Sequence, residues 1–162
     1  MPFEDASQKC PLFITLHKSG DLRGCIGTLS PQPLSDMRDY VHSSAFRDRR
    51  FDPLQRSELS ALHLSVSLLV QYEDCDDCYD WDVGTHGILI RFMVQGKTFS
   101  ATYLPEVAQE QGWTHKEALT SLVRKAGFRG AVSQDVLDGI HTTRYQSSKC
   151  TLSYAEFSSG RV

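Results

Sequence analysis

The run Leu22-Arg23-Gly24-Cys25-Ile26-Gly27 sets a cysteine between two glycines, with an arginine close by. Glycine neighbours leave a thiol uncrowded and a nearby cation favours its thiolate, so Cys25 is a candidate nucleophile or acid. The same segment could instead hold an anion, with Arg23 and the backbone N–H groups at Gly24 and Gly27 as donors. A bulge at Gly24 is expected to set Arg23 and Cys25 on one side. The alternative is a cysteine acting as a small hydrophobe beside packing glycines. Downstream, Phe46-Arg47-Asp48-Arg49-Arg50-Phe51 interleaves three arginines with aromatics. Such a mix can stack bases or grip phosphate, or it can end a helix whose C-terminal dipole favours cations. Within it Asp48 is the candidate orienting carboxylate for Cys25, and Arg50 a second anion donor. Arg144, Tyr145 and Lys149 form a smaller basic group.

Cys75-Asp76-Asp77-Cys78 has C-x-x-C spacing, but a zinc site needs four ligands and no second pair follows. Aspartates between the two thiols raise rather than lower a thiol pKa, which argues against redox chemistry. An exposed acidic loop is the expected setting, and no metal or cofactor is expected. Glu73, Asp74, Asp76, Asp77, Asp80 and Asp82 miss the calcium-loop pattern and are read as a solvated run. His86 stands between Gly84 and Gly87 as a candidate ligand contact or a structural hydrogen-bonder. No phosphate-binding loop of the Walker or dinucleotide type is present.

These residues need elements to position them. Pro11 to His17, the turn cluster Lys18 to Asp21, and Leu22 to Leu29 read as a hairpin. Pro33 suits the first turn of a helix in which Leu34, Met37, Val41 and Ala45 recur through about residue 48. Leu62, Leu64, Val66 and Leu68 alternate with polar residues as a strand with one buried face. Tyr72 to Val83 reads as a loop. Ile88, Ile90, Phe92 and Val94 share a strand face, and Gln95-Gly96-Lys97 turns the chain into Thr98 to Tyr103. Pro105 opens a short helix through about Gln111. Thr114 and Glu117 form a capping box ahead of the stripe Ala118, Leu119, Leu122, Val123 and Ala126, with Gly127 as C-cap. A helical turn is expected over Ser133 to Asp138, two strands over Thr142 to Gln146 and Cys150 to Phe157, and a frayed end at Ser158 to Gly160. Hairpins with inserted helices imply an α+β fold with a mostly antiparallel sheet, and no linker splits the 162 residues into separate domains.

Composition narrows the classes. A net charge of −3 and a pI near 6.0 give no duplex-DNA signal, because phosphate neutralisation needs a basic surface. No apolar run approaches a membrane span, and the first nine residues lack a secretory signal. Five cysteines without framework spacing suit a reduced, intracellular chain.

The motif Leu22 to Gly27 resembles the signature of the AMMECR family, named for the Alport syndrome, mental retardation, midface hypoplasia and elliptocytosis chromosomal region. Ser44 to Leu54, Ser65 to Leu69, Asp80 to Ile88, Ala101 to Ala108, Ser121 to Phe128 and Thr143 to Gln146 resemble it too. Together the matches span about residues 11–157. The resemblance implies two unequal lobes with a cleft near the signature, in the nucleus or cytoplasm. It implies no reaction, since the family's activity is unestablished. Prokaryotic relatives often neighbour Memo-type and radical-SAM genes, which points to a modification pathway, on RNA among others. Two departures stand out. Relatives usually carry a helix ahead of the Pro11 strand and this chain begins too late to hold it, so a core face or cleft wall is expected to be missing or replaced. Nor does the family usually have cysteines at positions 75 and 78. Two functions compete. One is an enzyme or enzyme subunit acting on a small molecule, nucleotide or RNA through Arg23 to Gly27. The other is a non-catalytic binding or adaptor module for a protein or RNA partner.

Overall fold

Ser19 and Gly20, both with positive φ (53° and 95°), turn β1 (Lys9–Lys18) back into β2 (Asp21–Pro33). Two central residues in the left-handed region give the turn whose twist suits an antiparallel hairpin. The computed structural model describes residues 8–160. Gln95 and Gly96 (49° and 77°) repeat the device between β4 (Gly87–Val94) and β5 (Lys97–Tyr103). With β3 (Leu62–Asp74) and β6 (His141–Ser153), they form a six-stranded sheet in the order β2-β1-β3-β6-β4-β5. The fold is α+β, and the registered pairs are antiparallel.

The chain divides into two compact units. One runs through Leu69 and resumes at Ser148; the other is Val70–Ser147. The boundaries fall inside β3 and β6 rather than in a linker.

In the first unit, strand alternation sorts β1. Leu12, Ile14 and Leu16 are buried, whereas Phe13, Thr15 and His17 are only partly covered. A short 3-10 turn (Leu34–Asp36) leads into α1 (Met37–Phe46), which packs on β1 and β2 and buries Ser44 and Ala45. A second 3-10 stretch (Arg56–Ala61) leads into β3.

In the second unit, β4 buries Ile88, Ile90 and Phe92 in one core with α3 (His115–Lys125). The capping box at Thr114 and Glu117 forms, and Ala118, Leu119, Leu122 and Val123 are fully buried. Gly127 follows with φ 94°. The remaining helices, α2 (Pro105–Glu110) and α4 (Gln134–Asp138), are short.

The structure corrects several sequence expectations. The register slip in the hairpin leaves Arg23, not Gly24, as the extra residue, since Leu16 faces Gly24 and His17 faces Leu22. The bulge thus falls at Arg23 itself, whose side chain goes to Glu58. β3 continues through Asp74, where a loop was expected from Tyr72, because Tyr72 stacks on Tyr145 at 5.0 Å. The C-x-x-C segment is a loop with Asp76 and Asp77 exposed, but its Cys78 side chain turns inward. It sits 4% exposed in the core beside Trp81, whose indole N–H donates to its carbonyl at 3.0 Å. The two expected C-terminal strands are one strand, β6, because the polar Ser147-Ser148-Lys149 run does not break it. Tyr154 to Ser158 is instead a helical turn, α5 (Tyr154–Ser158), started by a Ser153–Glu156 capping box.

Candidate functional site

Gly24 admits the end of α1 to the backbone of β2. A Cβ there would collide with the carbonyl oxygen of Ser44. One residue pair on, the Ser44 hydroxyl accepts from the Ile26 N–H (3.0 Å) and donates to the Ile14 carbonyl (2.9 Å). Ile14 and Ile26 face each other across β1 and β2, so a buried helix hydroxyl bridges the two strands at one rung of the ladder. Gly27 serves a similar need, since a Cβ there would meet the Leu12 carbonyl and the Phe13 ring.

Beyond α1 the chain supplies Asp48, 6% exposed. Its Oδ2 accepts from the Cys25 N–H at 2.8 Å. Arg50 closes on the same carboxylate with two bonds, Nε to Oδ1 at 2.9 Å and Nη2 to Oδ2 at 2.7 Å. The Arg50 N–H adds a further bond to Oδ1, and Nη2 also donates to the Cys25 carbonyl at 3.1 Å. The Asp48–Arg50 pair therefore satisfies both backbone groups of Cys25 on an outermost strand, as a neighbouring strand would. The guanidinium of Arg50, aided by the two N–H groups, holds the Asp48 carboxyl well below the usual carboxylate range despite its burial. Asp48 also pushes the Arg50 pKa up.

Arg23 turns to Glu58, with Nε and Nη2 each 3.0 Å from a carboxylate oxygen. Lys18 and the Gln55 N–H engage the same carboxylate. Phe51 lies between the two arginines, 6.0 Å from the Arg23 guanidinium and 5.5 Å from that of Arg50. The Cys25 thiol is half-buried and has the Thr15 hydroxyl at 3.4 Å. No carboxylate or imidazole is bonded to it among the described residues.

Arg23, Gly24, Cys25, Gly27, Asp48 and Arg50 thus belong to one unit. Asp48 reaches Cys25 through its backbone N–H rather than its sulfur. His86 belongs to the other unit, where its Nδ1 accepts from the Asp82 N–H at 3.0 Å. Sequence reading missed Thr15, Ser44 and Glu58. Glu58 had a local signal, a capping box with Gln55. Thr15 and Ser44 had none, because their partners lie on other elements. Of the basic group, Arg144 is already bound to Glu73 and Asp80, and Tyr145 is fully buried. Among the described residues no three His, Cys, Asp or Glu side chains gather so as to hold a metal ion.

The AMMECR1 family model matches residues 2–150, which includes this whole site. The chain belongs to the AMMECR1 family. An uncharacterized protein of Arabidopsis thaliana is 48% identical over 163 residues, covering 96% of this chain and 75% of the plant protein. One from Schizosaccharomyces pombe is 40% identical, covering 93% and 79%. The crystal structure of an uncharacterized protein from Pyrococcus horikoshii superposes with a TM-score of 0.70 at 26% identity, covering 93% of this chain and 79% of that one. None of these AMMECR1 relatives carries a described activity in its name.

The Glu58 cluster gives a pH signature. Its carboxyl is lowered to about 2 by Arg23 first, then by the Gln55 N–H and Lys18. A carboxylate with a depressed folded pKa contributes stability that is present above its unfolded value. That contribution is lost as pH falls toward the folded value. Glu58→Gln is therefore expected to lose less stability than wild type between pH 4.5 and 2, read as urea midpoints. Parallel curves through that window would remove Glu58 from the acid response.

Proposed function

We propose that the unit built around the signature is a non-catalytic binding module for a protein partner. The observation that carries this reading is the internal engagement of the two carboxylates beside the signature, Asp48 and Glu58. Asp48 accepts four hydrogen bonds from Cys25 and Arg50. Glu58 accepts from Lys18, Arg23 and Gln55. A general base must be free to take a proton, and a carboxylate held far below neutral pH by an arginine takes none. The same unit contains an apolar groove of about 400 Å³, a surface suited to binding rather than to proton transfer. All five cysteines are free, which fits an intracellular setting, cytoplasmic or nuclear. No described helix is long and apolar enough to cross a membrane.

A second reading keeps Cys25 as nucleophile or acid, Asp48 as the carboxylate that orients it, and Arg23 and Arg50 as anion donors. The Arg50 guanidinium at the Cys25 carbonyl and the hydroxyl of Thr15 at its sulfur favour it. The glycines Gly24 and Gly27 would then serve a ligand rather than packing. Thiol mapping separates the two readings. With a limiting alkylating reagent from pH 5 to 9, the half-buried Cys25 is expected to react more slowly than the exposed Cys150. Cys25→Ser is expected to leave partner binding unchanged. A Cys25 that outpaces Cys150, with an inflection below about 8.5, would overturn the binding reading in favour of thiol chemistry.

A further inference from the structure

The groove in the first unit is nearly all apolar, with Leu16, Val41, Leu59, Leu62, Leu64 and Phe157 among its walls. Three aromatics that line it stay in contact with water: Phe46 at 46%, Tyr154 at 38% and Phe157 at 64% exposure. Large side chains held half-wet around a concavity are the anatomy of a docking surface. Of the strands that line it, β1 and β3 are interior to the sheet and present side chains rather than an edge, and the end of β6 adds Leu152 and Ser153. What remains is room for apolar side chains entering from above, the way a helix presents residues spaced i, i+3/i+4, i+7.

Charge selects the kind of helix. Arg38 lies one turn before Val41 on α1, and Arg47 and Arg49 follow Phe46 directly. Arg56 stands three residues before Leu59. All four are exposed, and none is in an ion pair among the described residues. The carboxylates nearby are engaged or turned elsewhere. Glu58 holds Lys18 and Arg23, and Glu156 caps Ser153. Asp36 and Asp39 line a separate small cavity with Tyr40 and Ser43. Asp52 acts on Arg23. Glu156 keeps its negative charge in that cap, but the four arginines outnumber it, and the balance beside the groove is positive.

We propose that the groove seats one amphipathic α-helix of a partner protein, its apolar stripe flanked by acidic side chains. This rests on the binding-module reading and names the partner's chemistry. The test uses three fluorescent helical peptides: an apolar stripe with acidic flanks, the same stripe with basic flanks, and acidic flanks with the stripe scrambled. The acidic helix is expected to bind at least ~10-fold tighter than the basic one at low salt, with the gap narrowing as salt rises. Arg47→Glu with Arg49→Glu is expected to erase that preference. Phe157→Ala, at an exposed position, is expected to weaken both stripe-bearing helices alike. Equal binding of acidic and basic helices would overturn the acidic class while leaving the binding module standing. Binding of none, with a fatty acid occupying the groove or with self-association abolished by Phe157→Ala, would overturn the module reading itself.

Discussion

Gly24→Ala is expected to cost about 3 kcal/mol of stability, the upper end of what overpacking a well-packed site usually costs. The added methyl would meet the Ser44 carbonyl oxygen, a backbone atom near the end of a helix already fixed at two more points. Those points are the Ser44 hydroxyl between Ile14 and Ile26, and the Asp48 carboxylate on the Cys25 N–H. A flexible side chain could swing aside, but this carbonyl cannot retreat without breaking both. For a chain of this size the loss corresponds to roughly 6–12 °C in Tm. Gly24 has no left-handed φ, so the penalty is one of space alone. Thermal and urea unfolding of Gly24→Ala against wild type decide the matter. A loss under 1 kcal/mol would show that the end of α1 is free to move, and the close contact would then carry little of the signature's meaning.

The signature was visible in the sequence as a pattern, but its physics was not. Leu22 to Gly27 could be read as a strand with two glycines, and the sequence left three explanations open: a reactive thiol, an anion site or close packing. What separates them is the identity of the approaching group. Ser44 and Asp48 stand about twenty residues away, and nothing in their local sequence says that they meet Ile26 and Cys25. Periodic signals did better because they are local. The strand at Leu62 to Leu68, the Thr114–Glu117 cap and the stripe Ala118 to Val123 need only neighbours to be legible, although the strand's faces do not sort as its alternation implied, since Ser65 and Ser67 are buried and Leu64 and Val66 only partly covered. The failures follow the same rule. The chain through Tyr72 to Asp74 looked like a loop by composition, yet an aromatic contact with Tyr145 extends the strand. Cys78 looked exposed among aspartates, and Trp81 three residues on draws it into the core. Two lobes were implied only by the family resemblance, and their boundaries were hidden because they run through continuous strands.

Removing either half of the Asp48–Arg50 pair should be unequal, and the inequality tests whether the pair is a latch on the edge of β2. The Asp48 side chain is 5% exposed and that of Arg50 56%. Asp48→Ala leaves the Cys25 N–H without its acceptor, but it releases an arginine that water can solvate. The expected cost is about 2 kcal/mol, that of a hydrogen bond to a charged group. Arg50→Met instead leaves a buried carboxylate without its cation, and the expected cost at pH 7 is nearer 3 kcal/mol. The sign of the pH response follows. In wild type the Asp48 carboxyl is depressed by Arg50, so its contribution is present above the ordinary carboxylate range near pH 4 and is lost only in stronger acid. Without Arg50 the same burial raises the carboxyl, and protonation in mild acid relieves the stranded charge. The deficit of Arg50→Met relative to wild type should therefore shrink as pH falls from 7 toward 5, whereas that of Asp48→Ala should stay level. Combining Asp48→Ala with Arg50→Met should cost less than the sum of the two single changes, as expected for partners in one network. An Arg50→Met deficit that is smaller than that of Asp48→Ala, or flat with pH, would mean that the carboxylate does not depend on its arginine. If the latch holds, its loss has a second consequence. Each single variant frees one backbone group of Cys25 and the double variant opens the whole rung on an outermost strand, so the double variant should associate through β2 at concentrations where wild type does not. In that case the arginine and the aspartate that looked like catalytic partners of Cys25 are what keeps its strand from pairing with another chain.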